Sequence, residues 1–186
     1  MERLVVGISG ASGTHLACRF VRQVKEFTSC EVHAVVTEGG RLTAGYEEPE
    51  LFGETLRMAD FVHDNASLGE SIASGTFKTA GMVVVPCSMK TVAGIATGYS
   101  DNLLLRAADV TLKEQRPLVL VARETPMNVI HLRNLSQLAA IPNVTLMPPM
   151  MTYYHHPKTI DDMEDQIIGK IFDRFGWEYP PFERWS

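Results

Sequence analysis

The sequence predicts an α/β fold, a mostly parallel sheet with helices on both faces, built as a single domain over residues 1–186. Three observations carry this. Short apolar runs of strand length, among them residues 32–36, 82–85 and 118–122, alternate with longer stretches of helical period. The runs are apolar at nearly every position rather than at every second one, as in strands covered on both sides. No linker divides the 186 residues, a length that buries roughly 70% of the surface an unfolded chain exposes.

Taken in order, residues 4–8 read as the first strand. A helix follows, marked by Leu16, Phe20, Val24 and Phe27 at close to helical period. Residues 32–36 read as the second strand, and helical stretches near 39–46 and 51–59 precede a short strand at 61–63. Residues 65–78, rich in Ser and Gly, read as an exposed loop with one helical turn. Buried strands are expected at 82–85, 118–122 and 144–147, and helices at about 91–96, 102–115, 129–140 and 159–175. Residues 177–186 read as a terminal tail that frays or docks on the surface.

Composition narrows the function. A net charge of −5 argues against broad nucleic-acid or anionic-membrane binding. No apolar run approaches 18 residues, so no membrane span is expected, and residues 1–4 lead into a strand without a signal-peptide core. Cys18, Cys30 and Cys87 fall at unrelated spacings, which suits a reduced cytoplasm better than a disulfide framework. Six scattered histidines, with neither CxxC nor HxxxH, predict no bound metal.

The chemistry-bearing residues gather after strands. The most informative segment is Pro86-Cys87-Ser88-Met89-Lys90-Thr91, hydroxyl, thiol and amine groups placed directly after a buried strand, where open α/β sheets hold ligands. Gly7-Ile8-Ser9-Gly10-Ala11-Ser12-Gly13 opens the first helix. It reads either as an anion site of free backbone N–H groups or as a tight turn with Ser12 as helix cap. Its glycines fall as GxxGxxG, so it is not the dinucleotide fingerprint, and Glu38 beyond Thr37 reads better as a first-turn helix acid than as a ribose ligand. Asn102, Arg106, Asp109 and Lys113 share one face of an otherwise apolar helix, which is either its solvent stripe or the wall of a pocket or subunit interface. Arg123-Glu124-Thr125-Pro126 offers an ion pair, or a phosphate ligand beside a proton-transfer group. Tyr153-Tyr154-His155 is a packed loop or part of a site. Together, hydroxyls at Ser12, Thr37, Ser88 and Thr91 with cations at Lys90, Arg106, Lys113 and Arg123 suit a flat phosphorylated cofactor and a second anionic ligand.

Across these segments the chain resembles the UbiX-type flavin prenyltransferases, including members labelled as components of phenolic acid decarboxylases. The likeness runs nearly end to end: residues 5–13, 71–77 and 85–91, then 101–110, 112–114, 116–120 and 123–126, and the closing Arg184-Trp185. It implies a Rossmann-like flavoprotein fold and a homododecamer built from trimers. It also implies an enzyme that joins the dimethylallyl group of dimethylallyl phosphate to N5 and C6 of reduced FMN without a metal, the product serving a UbiD-type decarboxylase.

Residue by residue, the resemblance implies that Gly10, Ala11, Ser12, Thr37, Ser88, Met89, Lys90, Thr91, Arg106 and Arg123 bind FMN. Lys113, Arg123, Tyr154 and Lys170 would hold the allylic phosphate. Glu47 and Glu124 would stand near the reacting carbons, and Trp185 would cover the prenyl group. The chain departs from the family pattern at Thr14-His15-Leu16-Ala17, at Thr37-Glu38, and at Lys170, where a point charge replaces the fork of an arginine. Two other readings differ in kind. An FMN-dependent cysteine decarboxylase of the same superfamily would carry a PASANT-like segment in place of residues 86–91 and a histidine at the flavin, for which His63 has no supporting motif. A non-catalytic FMN-binding accessory subunit would not require Lys113, Arg123, Glu124 and Tyr154.

Overall fold

The computed structural model describes residues 2–185; Met1 and Ser186, the two ends of the expected domain, lie outside the described residues. Its elements run β1 (Arg3–Ile8), α1 (Thr14–Phe27), β2 (Glu31–Val36), α2 (Glu38–Glu47), α3 (Pro49–Met58), β3 (Phe61–His63), a 3₁₀ turn at Ser71–Ala73, β4 (Gly81–Cys87), α4 (Met89–Thr97), α5 (Leu103–Lys113), β5 (Leu118–Ala122), α6 (Val129–Ala139), β6 (Val144–Leu146) and α7 (Ile160–Phe175). The strands form one six-stranded sheet in the order β3-β2-β1-β4-β5-β6, each pair parallel.

Side chains alternate across that sheet and feed two cores. Leu4, Val6 and Ile8 of β1, with Val83 and Val85 of β4, pack against Phe20 and Val24 of α1 and Ile168, Ile171 and Phe172 of α7. Val5, Met82, Val84, Leu118 and Leu120 face Val92 of α4, Leu103 and Leu104 of α5, and Leu138 of α6. Each such fully buried aliphatic or aromatic side chain contributes about 1.5–3 kcal/mol.

The expected fold class holds, with local differences that have physical causes. α4 begins at Met89 rather than residue 91, because the Ser88 side chain accepts a hydrogen bond from Thr91 N and caps it. α3 begins at Pro49, whose missing N–H costs nothing in the first helical turn. The strand expected to be buried at 144–147 is a three-residue edge strand, β6, only partly covered. At the other edge, Phe61 and Val62 of β3 are exposed.

The tail docks rather than frays. Tyr179 and Phe182 are buried, and the Tyr179 hydroxyl donates to Asp165 Oδ1 at 2.6 Å. Arg184 grips both oxygens of Asp173 at 2.6 and 3.1 Å.

Candidate active site at the sheet switch point

After β3 the chain crosses back to the centre of the sheet and fills its other half, so strand order reverses between β1 and β4. Crevices at such switch points, beyond the carboxyl ends of the strands, are where open α/β sheets bind ligands. Here the two strand ends are tied together by Ser9. Its buried hydroxyl donates to Pro86 O at 3.1 Å and accepts from Ser88 N at 2.8 Å. Ser88 in turn shares a hydrogen bond with the Thr91 hydroxyl at 3.2 Å. On the neighbouring strand, Thr37 N donates to Ile8 O at 3.0 Å while the Thr37 hydroxyl caps α2 through Gly40 N. Glycine is required at this close approach, since a Cβ on Gly40 would lie 2.6 Å from Ile8 O and one on Gly10 would lie 2.9 Å from Gly39 C.

A cavity of about 430 Å³ opens over this framework. It brings together Gly10, Thr37, Ser88, Met89, Lys90, Thr91 and Glu124 of the expected residues. The N-termini of α2 and α4 border it at Glu38 and Met89, so two helix dipoles favour an anion there. Lys90 adds a positive charge. Volume and mixed lining fit a small cofactor, for which sites of about 300–1,000 Å³ are usual.

Asn65, Asn102 and Leu105 also line the cavity and were not foreseen as ligands. Asn65 had no signal beyond its place in a polar loop. It reaches the cavity because its side chain accepts from Leu104 N at 3.0 Å and its carbonyl from Leu103 N at 2.9 Å, docking the loop on α5.

The glycine loop after β1 departs from the cap reading, and part of its backbone N–H set is already engaged. Its helix cap is Gly13, at φ 127°, rather than Ser12. Nor are the N–H groups of Gly13 and Thr14 free for a ligand, because both donate to Glu47 Oε2, at 3.1 and 2.8 Å. Burial works to raise the pKa of that carboxyl, but hydrogen bonds from Ser12, Thr14 and Gly13 outweigh it and hold the group below its ordinary range. Glu47, Ala11 and Ser12 do not line the cavity.

A second cavity of about 490 Å³ lies between the 150s loop, α7 and the tail. It gathers Tyr154, Lys170 and Trp185, with the Tyr154 and Trp185 rings edge-to-face at 5.6 Å. Thr152, which also lines it, has a buried hydroxyl with no hydrogen-bond partner among the described residues. Buried polar atoms in folded proteins are as a rule paired, so an acceptor or donor from a ligand would complete it.

The remaining cations stand apart from both cavities. Arg106 pairs with Asp109 at 2.6 Å and reaches Ala73 O at 3.3 Å. Lys113 pairs with Glu114 at 2.6 Å, at the far end of α5 from Asn102. Eleven residues of helix put these two about 16 Å apart. Of the stripe Asn102, Arg106, Asp109, Lys113, the first lines the cavity, the middle two are half-buried and the last is exposed. Arg123 is exposed just beyond β5, its N–H bonded to Cys87 O at 3.0 Å.

The family model Flavoprotein matches residues 1–172. A probable UbiX-like flavin prenyltransferase from Sedimentibacter hydroxybenzoicus is 49% identical over 184 residues, covering 99% of this chain and 97% of the relative. The chain belongs to the UbiX-like flavin prenyltransferases of the Flavoprotein family. Among solved structures, AnUbiX in complex with FMN and dimethylallyl pyrophosphate superposes with a TM-score of 0.95 at 38% identity, covering 100% of this chain and 97% of that one. The dodecameric FMN-dependent UbiX-like decarboxylase from Escherichia coli O157:H7 gives 0.93 at 42% identity, covering 99% and 98%. Membership of this flavin prenyltransferase family agrees with the sheet order, the switch-point cavity and the hydroxyl-rich loop after β4. Among the described residues no helix is long and apolar enough to cross a membrane.

Proposed function

We propose that the protein binds reduced FMN in the switch-point cavity and joins to its N5 and C6 the dimethylallyl group of dimethylallyl phosphate, with release of phosphate. The observation that carries this is the cavity walled by Ser88–Thr91, Thr37–Gly39 and Glu124, in a chain 49% identical to a UbiX-like flavin prenyltransferase. The flavin supplies the nucleophilic ring. The protein orients that ring and stabilises the phosphate that leaves as the N5–C bond forms and N5 gives up its proton. A proton then returns to the remaining double bond, C6 attacks the tertiary carbon so formed, and the protein removes the proton that C6 must lose.

Glu124, one of two carboxylates on the cavity wall with Glu38, takes the role of proton acceptor. Ionising the donor leaves negative charge on phosphate and positive charge on the allyl fragment. Lys170 and Tyr154 suit the first, and the Tyr154 and Trp185 rings suit the second. Lys113 and Arg123 lie outside both cavities of one chain. We therefore place the complete phosphate site between copies in a homo-oligomer; the dodecameric relative supports that arrangement. The free, buried state of Cys18, Cys30 and Cys87 supports a reducing cytoplasmic setting, and a UbiD-type decarboxylase is the consumer of the prenylated flavin.

The test is anaerobic incubation with reduced FMN and either dimethylallyl phosphate or the diphosphate, followed by mass spectrometry of the flavin. A flavin heavier by one C5 unit, with phosphate released, is expected. Unmodified FMN with both donors would instead make the protein a flavin carrier or a redox decarboxylase.

A further inference from the structure

The β2–β3 edge of the sheet carries a buried group that prenyl transfer does not use. β2 and β3 pair so that His33 opposes Phe61 and Val35 opposes His63, which sets the two histidines diagonally on one face. His33 Nδ1 lies 2.9 Å from His63 Nε2, His33 Nε2 lies 2.7 Å from Glu31 Oε1, and His63 Nδ1 lies 2.9 Å from Glu70 Oε2. The histidines are 2% and 6% exposed, and Phe61 and Phe77 pack on the His33 ring at 4.7 and 5.1 Å. Their ring nitrogens therefore depend on these partners.

Proton counting shows what this chain of four groups requires. Three bridges link carboxylate, imidazole, imidazole and carboxylate, and each bridge needs one proton. Two neutral imidazoles supply two. With both carboxylates ionised, every choice of tautomers leaves one bridge with lone pairs facing each other. The closed relay therefore holds a third proton, an imidazolium shared between the rings. Charge balance agrees, since Arg3 of β1 sits 3.1 Å from Glu31, giving two positive charges against two negative. Arg3, Glu31, His33, His63 and Glu70 are the charged or titratable groups that face the relay from β1, β2, β3 and the following loop.

That loop leads directly to the cavity. Asn65, two residues beyond His63, lines it and fixes the start of α5. Farther along, Arg106 holds Ala73 O and Arg116 holds Gly75 O and Phe77 O. Between these anchors, Glu70 on His63 is the polar tie to the sheet, beside Ile72, which packs in the core with Val5 and Val35.

We propose that Glu70 and His63 are positioning residues for the flavin cavity, holding its Asn65 wall through a relay closed by one titratable proton. This rests on the reading that the cavity takes FMN. A proton shared by two imidazoles belongs to the pair rather than to either ring. Burial outweighs the pull of Glu31 and leaves His33 holding its proton less tightly than an ordinary imidazole. As pH rises and the shared proton leaves, one bridge opens, the Asn65 wall loosens and FMN binds less tightly.

The experiment measures FMN dissociation constants from about pH 5.5 to 8.5 for the full chain, Glu70→Gln and Glu70→Ala. The glutamine amide donates to His63 Nδ1, so two ring protons then suffice and the relay stays closed throughout. Across the range the wild-type constant should rise roughly fivefold relative to Glu70→Gln, the worth of about one hydrogen bond. Glu70→Ala should bind weakly at both ends. The flavin phosphate titrates alike in all three and cancels in the ratio. Equal pH dependence of wild type and Glu70→Gln overturns the proposal. Nitrogen NMR of the flavin-free wild type should count three ring protons at the acid end and two at the alkaline end; two throughout also overturns it. Failure of every variant to bind FMN would sink the flavin reading and the positioning role together, while leaving the ring titration standing.

Discussion

The Glu47 carboxylate lies 2.8 Å from the backbone nitrogen of Thr14, so an acid at the end of α2 caps the start of α1 across 33 residues of sequence. It occupies the positive end of a helix dipole that would otherwise attract a ligand anion. The cavity is bordered instead by the N-termini of α2 and α4, at Glu38 and Met89.

Glu47→Ala should lower stability by about 0.5–1 kcal/mol, the lower part of the capping range because the group is exposed and solvent-screened. The carboxyl is held below its ordinary range, so this contribution is present above about pH 4.3 and is lost as pH falls through the folded-state value. Thermal melts of wild type and variant should converge at low pH. A constant gap down to acid pH would show that the charge is not what stabilises the helix.

Glu124→Gln should bind FMN as the wild type does and lose turnover by about 10²–10³, since the amide keeps the shape of the cavity wall but cannot take a proton. Flavin titration beside single-turnover prenylation separates the two effects. Unchanged turnover would remove Glu124 from the chemistry.

Lys170→Arg should keep or improve allylic-phosphate binding. The position faces the second cavity beside Tyr154, and a planar fork contacts phosphate at two points where an ammonium contacts it at one. The readout is the KM for the donor. A large rise would mean that Lys170 does not meet phosphate in the way proposed.

Gly169→Ala should expel the tail. A Cβ there would overlap Cβ, Cγ and Cδ2 of Phe182, so the clash reaches the base of the side chain as well as its ring. The cost is the burial of Phe182, about 1.5–3 kcal/mol, and the placing of Trp185 three residues on. A lower melting temperature with weakened donor binding and intact FMN affinity is expected. Loss of FMN binding as well would mean that the disturbance spreads through α7 to the sheet.

Residues whose role follows from a strand end were legible in the sequence. β5 occupies the expected residues 118–122, and Thr37, Ser88 and Thr91 could be placed because a buried apolar run fixes where the next polar loop begins. What escaped notice depends on contacts between distant segments. Asn65 enters the cavity by docking on α5, 39 residues away at Leu104, and His33 meets His63 through strand register. Glu47 carried an expected role near the reaction, yet only the fold shows it bonded to the loop after β1. The tail, weakly patterned as sequence, is fixed by a glycine on α7 that leaves room for one aromatic ring.

The two margins of the sheet carry one more consequence. β3 and β6 are each three residues long, so neither edge exposes more than a brief ladder of unpaired N–H and C=O groups. Sheet-to-sheet continuation between molecules, the usual route to fibrils, has little template here. Any contact between copies of this chain falls instead to side chains on helices and loops, discrete surfaces that do not propagate as a β-ribbon does.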